Sequence, residues 1–240
     1  RKIDASLGRL QRNFVELYQL HNRIQSVGDK DNFSAKDILK RGGVADAMEK
    51  FKSDERIKSI GITALGDIDA INEVVLSDCF DVAQIYYNLL NPSASYKTSG
   101  NWNDHDFSNL INNCISKDMG LMNIRIYAAG YLATDKRHGR EIPVTFGINE
   151  NELNRRVEKI NSIFNDIKGT KAQKALRYGL SNKDMSTIVI GLANIEHLEE
   201  ALEGYDQGHL DEETLVTIEE LQNKNFYWGL TMKVLILGIG

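Results

Sequence analysis

Five short apolar runs recur along the chain, separated by longer stretches in which apolar residues return every three or four positions. The runs lie at 15–21, 58–64, 81–88, 122–129 and 187–192. They are rich in Val, Ile and Tyr and almost free of charge, as strands buried on both faces are. Between them the helical period predicts helices at 35–53, 67–76, 106–117, 150–167, 171–180, 195–207 and 211–222, after a first helix at 3–13. Ser34 with Asp37 three residues on is a capping-box-like start, and Gly120 and Gly169 read as stops. Strand and helix in alternation predict parallel βαβ units. Five strands suit an open doubly wound sheet, but the strand ends lack its glycine-rich dinucleotide fingerprint. The other arrangement is a (β/α)₈ TIM barrel, of which these would be the C-terminal five units.

Composition changes this picture little. Of 240 residues 42% are hydrophobic and 26% charged, which is ordinary for a globular chain and too apolar for a disordered one. A net charge of −5 disfavours binding to a nucleic-acid backbone, which needs clustered Lys and Arg. Cys79 and Cys114 stand far apart with no CxxC or His-rich partner, so neither a zinc site nor a disulfide framework is expected. A reducing, cytoplasmic home fits them. No run approaches the ~18 apolar residues of a membrane span.

The chemistry begins where the first run ends. Alternating residues from Val15 to Leu20 deliver His21 to the point where polar residues take over. A parallel barrel builds its active site from side chains at strand C-termini, because these converge on one mouth. Together with the helix before it, the stretch SLGRLQRNFVELYQLH, from Ser6 to His21, resembles the aldo-keto reductase signature around that family's catalytic histidine. The resemblance covers residues 1 to about 222 and is most specific at 6–22, 80–93 and 175–202. It implies a partial (β/α)₈ barrel over 1–227 that lacks its N-terminal strands. It also implies an oxidoreductase that reduces aldehydes or ketones, or oxidises the matching alcohols, with NADP or NAD. His21 would orient the substrate oxygen. The family's tyrosine, lysine and aspartate would lie upstream of Arg1, so the chain is expected to be a fragment, inactive by itself. The rival expectation is a nucleotide-binding regulatory barrel without turnover.

Other residues stand out on their own terms. Thr63 closes the second run within Gly61-Ile-Thr63-Ala64, where small side chains leave room for a ligand, or simply for a tight turn. Gln84 sits in an apolar run, where a primary amide is costly unless hydrogen-bonded. Ser186 to Glu200 reads as a strand ending at Gly191 and a helix capped by Asn194, with the free N–H groups that favour phosphate. The resemblance assigns all of these to the cofactor: Thr63 and Gln84 to the nicotinamide amide, and Gly191, Asn194, His197 and Glu200 to its phosphates. Ile124 falls where relatives carry the tyrosine that stacks on the nicotinamide, and Tyr127 is its candidate substitute. His197 and Ala201 replace a basic and an amide residue of NADPH-specific relatives, which predicts weak coenzyme discrimination. Finally, Met232 to Gly240 resembles the first strand and Gly-x-Gly turn of an NAD-dependent epimerase or dehydratase, so 228–240 would be a linker and the start of a fused domain, or else a closing strand.

Overall fold

The computed structural model describes residues 2–98, 100–137, 139 and 147–227. The tail expected to open a second domain, and its strand from Met232, lies outside these residues. All five predicted strands form one sheet: β1 (Val15–Leu20), β4 (Ile57–Ala64), β5 (Val82–Tyr86), β6 (Gly120–Ile124) and β7 (Thr187–Ile188). The order is β1-β4-β5-β6-β7 with every pair parallel, so each connection crosses over through helices. The sheet is open: β1 and β7 are its edges and do not pair with each other. A small parallel pair, β2 (Ile24–Gln25) and β3 (Phe33–Ser34), was not foreseen and follows β1.

The helices are α1 (Lys2–Leu10), α2 (Ala35–Leu39), α3 (Val44–Ser53), α4 (Ile68–Val75), α5 (Leu110–Ser116), α6 (Glu150–Ile163), α7 (Lys171–Ser181), α8 (Ile195–Asp206) and α9 (Glu212–Asn223). Their apolar stripes pack with Ile60, Ile62, Ala64, Ala83, Ile85 and Leu121 of the strands into one core. Several boundaries differ from the sequence reading, and three of the differences have a plain local reason. The helix expected at 35–53 is two, because Gly42 turns left-handed at φ 72°. A Cβ at Gly43 would meet the carbonyl oxygens of Lys40, Asp37 and Ile38 at 2.6–2.7 Å. The helix expected from 106 begins at Leu110, after Asn109 at φ 67°. The strand expected to reach 129 stops at Ile124, because Arg125 adopts φ 61° and the chain coils into a 3-10 turn over Ala128–Gly130. The last strand, expected over 187–192, is confined to Thr187–Ile188.

The long connection from β5 to α5 is tied down by Arg156 of α6, which is fully buried. Its guanidinium donates to Glu152 Oε1, the Leu90 carbonyl, Asn103 Oδ1 and Asn225 Oδ1, and lies 3.5 Å from Asp104 Oδ2. The Trp102 and Phe226 rings flank it, each centred 4.6 Å away. Burial lowers the Arg156 pKa, opposed by Asp104 and Glu152. A buried cation so fully paired holds the loop, α6 and the end of α9 to one another.

Candidate functional site

Parallel register decides what the inner face of the sheet presents. Gln19 lies opposite Gly61 and Gly61 opposite Val82; two residues further along, Thr63 pairs with Gln84 and Gln84 with Met122. Because side chains alternate faces, Gln19, His21, Thr63, Gln84 and Met122 all share one face at the C-terminal ends of the strands. They form one continuous chain of contacts. His21 Nδ1 lies 2.9 Å from Thr63 Oγ1. Thr63 Oγ1 donates to Gln84 Oε1 at 3.0 Å, and Gln84 Nε2 donates to Gln19 Oε1 at 2.9 Å. Gln19 Nε2 completes it on Met122 Sδ at 3.8 Å. Thr63 is buried, Gln19 and Gln84 are half-buried, and His21 is exposed at the open end.

Gly61 makes the chain sterically feasible. A Cβ there would stand 3.1 Å from Gln19 Cγ and Nε2, and 2.9 Å from the Val82 carbonyl. Gln19 therefore crosses above the glycine to reach Gln84, two strands away. Of the predicted site residues, the structure brings His21, Thr63 and Gln84 together. Gln19 and Met122 were missed, and Gly61, read as leaving room for a ligand, makes room for Gln19. The signal for Gln19 was present: an amide in an apolar run, on the same alternating face as His21.

Ile124 shares this face, two residues beyond Met122 and opposite Tyr86. Tyr127 follows the left-handed turn rather than the strand. It is half-buried, and burial with the nearby Glu200 carboxylate pushes its pKa up to about 12. Asn88 belongs to the turn: its Oδ1 accepts from Leu90 and Asn91 N–H groups and its Nδ2 donates to the Arg125 carbonyl.

The second group of predicted residues sits apart, at the other edge. Gly191 precedes α8, and Asn194 caps it by accepting from the His197 N–H at 3.0 Å. The His197 ring folds back, its Nδ1 accepting from the Ala193 N–H at 3.3 Å. Gly191, Asn194 and His197 are exposed, and Glu200 is half-buried with its carbonyl accepting from Gln173. The structure does not join this group to His21. Four interstrand steps of ~4.8 Å put the two edges of the sheet about 19 Å apart along its surface, so the two groups are separate clusters.

The arrangement fits a nicotinamide dinucleotide. Gln84 uses one lone pair and one N–H within the chain and keeps one of each, the complement of a carboxamide. The backbone N–H groups of Ile195 and Glu196 remain at the α8 N-terminus for a phosphate, although Glu196 and Glu199 bring negative charge close by. Among the described residues no group of His, Cys, Asp and Glu is placed to hold a metal, and no helix is long and apolar enough to cross a membrane.

Known proteins resemble the chain in sequence and in fold. The model of the Aldo/keto reductase family matches residues 1–223. L-galactose dehydrogenase of Arabidopsis thaliana is 26% identical over 234 residues, which cover 95% of this chain and 66% of that protein. An aldo-keto reductase of Bacillus halodurans, solved in holo and apo forms, superposes with a TM-score of 0.67 at 18% identity, over 95% of this chain. The match covers 68% of the holo chain and 69% of the apo chain, and at that identity it establishes the fold. The chain thus spans about two thirds of the length of these relatives.

Proposed function

The chain belongs to the aldo/keto reductase family, and from that premise we propose that the protein is an oxidoreductase interconverting an alcohol and its aldehyde or ketone with NADP or NAD. The observation that carries this is His21, exposed at the end of β1 and hydrogen-bonded through Thr63 to Gln84. A histidine so held places a ring nitrogen where strand ends converge, which is where a substrate oxygen is positioned in a parallel barrel. Thr63 and Gln84 would hold the carboxamide, Ile124 would pack against the ring, and the turn from Gly191 through Asn194, His197 and Glu200 would take the phosphates. The nicotinamide, when bound, supplies or accepts the hydride. His21 would orient the oxygen, through a ring held by Thr63 at the exposed end of β1. The catalytic unit would be residues 1–227, with 228–240 outside it.

The likeness to L-galactose dehydrogenase makes L-galactose the first substrate to try. The full-length protein, incubated with NAD or NADP and L-galactose, other aldoses and polyols, should generate reduced nicotinamide at 340 nm, and the matching carbonyl compounds should consume it. Tight nucleotide binding with no turnover in either direction would overturn the proposal in favour of a regulatory barrel.

A further inference from the structure

The contact chain on the inner face has a direction, and the direction is set at the end furthest from His21. Gln19 is wedged over Gly61 with its amide between Gln84 and the Met122 sulfur. A thioether only accepts hydrogen bonds, so Gln19 turns its NH₂ to Met122 and its oxygen to Gln84. Gln84 must then present its NH₂ to Gln19 and its oxygen to Thr63. Thr63 has one hydroxyl proton, and it goes to Gln84 Oε1. What Thr63 offers His21 is a lone pair, so His21 Nδ1 is the donor across the 2.9 Å contact.

We propose that Gln19 is a positioning residue that, through Gln84 and Thr63, holds neutral His21 as the Nδ1–H tautomer and so turns an accepting Nε2 lone pair to the substrate. This deepens the proposed activity and rests on it. A substrate hydroxyl can donate to that lone pair, whereas a carbonyl oxygen brings only a second acceptor against it. The substrate class the site holds best in its neutral state is therefore an alcohol. Reversing the chain would need a donor from each member in the opposite sense, ending with the Gln19 carbonyl oxygen against sulfur, two acceptors with no proton between them.

The first test needs no substrate. In a long-range ¹H–¹⁵N spectrum of the imidazole nitrogens, neutral His21 should show a protonated, pyrrole-type Nδ1 and a bare, pyridine-type Nε2. Gln19→Met, of similar length and shape, removes the acceptor for Gln84 and should move His21 toward the Nε2–H form. Gln19→Glu keeps that acceptor and should retain the wild-type pattern, which a merely structural role would not predict. If Gln19→Met fails to fold, Thr63→Val severs the same chain and should give the same shift. A wild-type spectrum dominated by Nε2–H, or one left unchanged by the severing variant, would overturn the proposal. In the full-length protein, with the alcohol–carbonyl pair found active above, Gln19→Met should raise the alcohol KM about tenfold, one hydrogen bond's worth, without raising the carbonyl KM. An equal rise in both would overturn the substrate class. If no pair were turned over, the activity reading would fall and take the substrate class with it, while the spectrum alone would still decide the role of Gln19.

Discussion

Each edge of the sheet presents an exposed histidine, and the two present opposite chemistry. At β1, His21 gives its Nδ1 proton inward to Thr63 and leaves an accepting Nε2 outside. At the start of α8, His197 takes the Ala193 N–H on Nδ1 and so keeps its proton on Nε2, facing out. His21 answers to a relay of side chains crossing β1, β4, β5 and β6, whereas His197 answers to one backbone N–H four residues before it. A relay through the sheet can only persist if the sheet is intact. A local backbone contact needs no more than the helix start. Exposure and residue type are the same, so the role of each ring is set by whatever occupies its other nitrogen.

The comparison breaks most visibly at the histidines themselves. In the full-length protein His21→Ala should lower kcat by roughly 10²–10⁴, the usual range for a positioned acid–base or orienting group, with coenzyme affinity within a few-fold of wild type. His197→Ala should do the reverse, changing coenzyme KM and sparing kcat. Steady-state kinetics with both variants decides it; a His21→Ala enzyme that lost only coenzyme binding would exchange the two roles.

These roles were unequally legible in the sequence. The strands were found because buried parallel strands read as continuous apolar runs; His21 stood out where a run ends, Thr63 among small residues closing a strand, and Gln84 as an amide inside an apolar run. Gln19 breaks the same pattern, yet its partner lies two strands away. Its meaning depends on the Gln19–Gly61 and Thr63–Gln84 registers, which no local pattern encodes. Strand and helix ends failed at Gly42, Asn109 and Arg125, single residues at positive φ, two of which are not glycine. Around α8 the Asn194 cap was legible. The folded-back His197 ring was not, and Ala201, expected near a phosphate, is buried.

A smaller effect should come from Gly61→Ala. Its Cβ would press on the Val82 carbonyl and on Gln19, so overpacking should cost about 1–3 kcal/mol in urea unfolding. It should also push Gln19 off Gln84 and weaken the Nδ1–H signature of His21. Gly120→Ala serves as the control, since its Cβ would meet Val82 Cγ2 at 3.6 Å and the Asp81 carbonyl oxygen at 3.8 Å, both ordinary contacts. If both variants were equally stable, with the His21 signature intact, Gln19 would not depend on the space above Gly61.

Smaller again is the coenzyme preference set at the β7 end. His197 offers a phosphate one ring N–H, with Glu196, Glu199 and Glu200 close in sequence. NADPH and NADH should therefore differ in kcat/KM by less than ~100-fold, about 2.7 kcal/mol. His197→Arg should widen the preference for NADPH by about tenfold and leave the NADH value near wild type. A wild-type preference beyond that limit would mean that another cation reads the phosphate.

The slightest effect concerns a third histidine, which, unlike the two exposed ones, carries a buried ring nitrogen. His105 lies in the β5–α5 connection, its ring 4.3 Å from Phe107 and its Nε2 buried without a hydrogen-bond partner. Burial lowers its pKa, against the pull of Asp104 and Asp106 and with help from Arg23. The folded chain thus prefers neutral His105, while the unfolded chain takes up a proton near the ordinary value of ~6.5. As pH falls below that value, the unfolded state binds a proton that the folded state refuses, and stability declines until the lowered folded value is reached. Asp104 acts in the opposite sense and in a more acidic window: burial raises its pKa, so its protonation in the folded state restores some stability between that raised value and the ordinary carboxylate value near 3.8. Urea midpoints measured from pH 7.5 downward should therefore fall as pH drops through ~6.5. His105→Phe should flatten that decline while leaving the shifts of His21 and His197 in the imidazole spectrum unmoved. A decline that persisted unchanged in the variant would have to come from a group other than His105, and its buried Nε2 would then not set the pH dependence of folding.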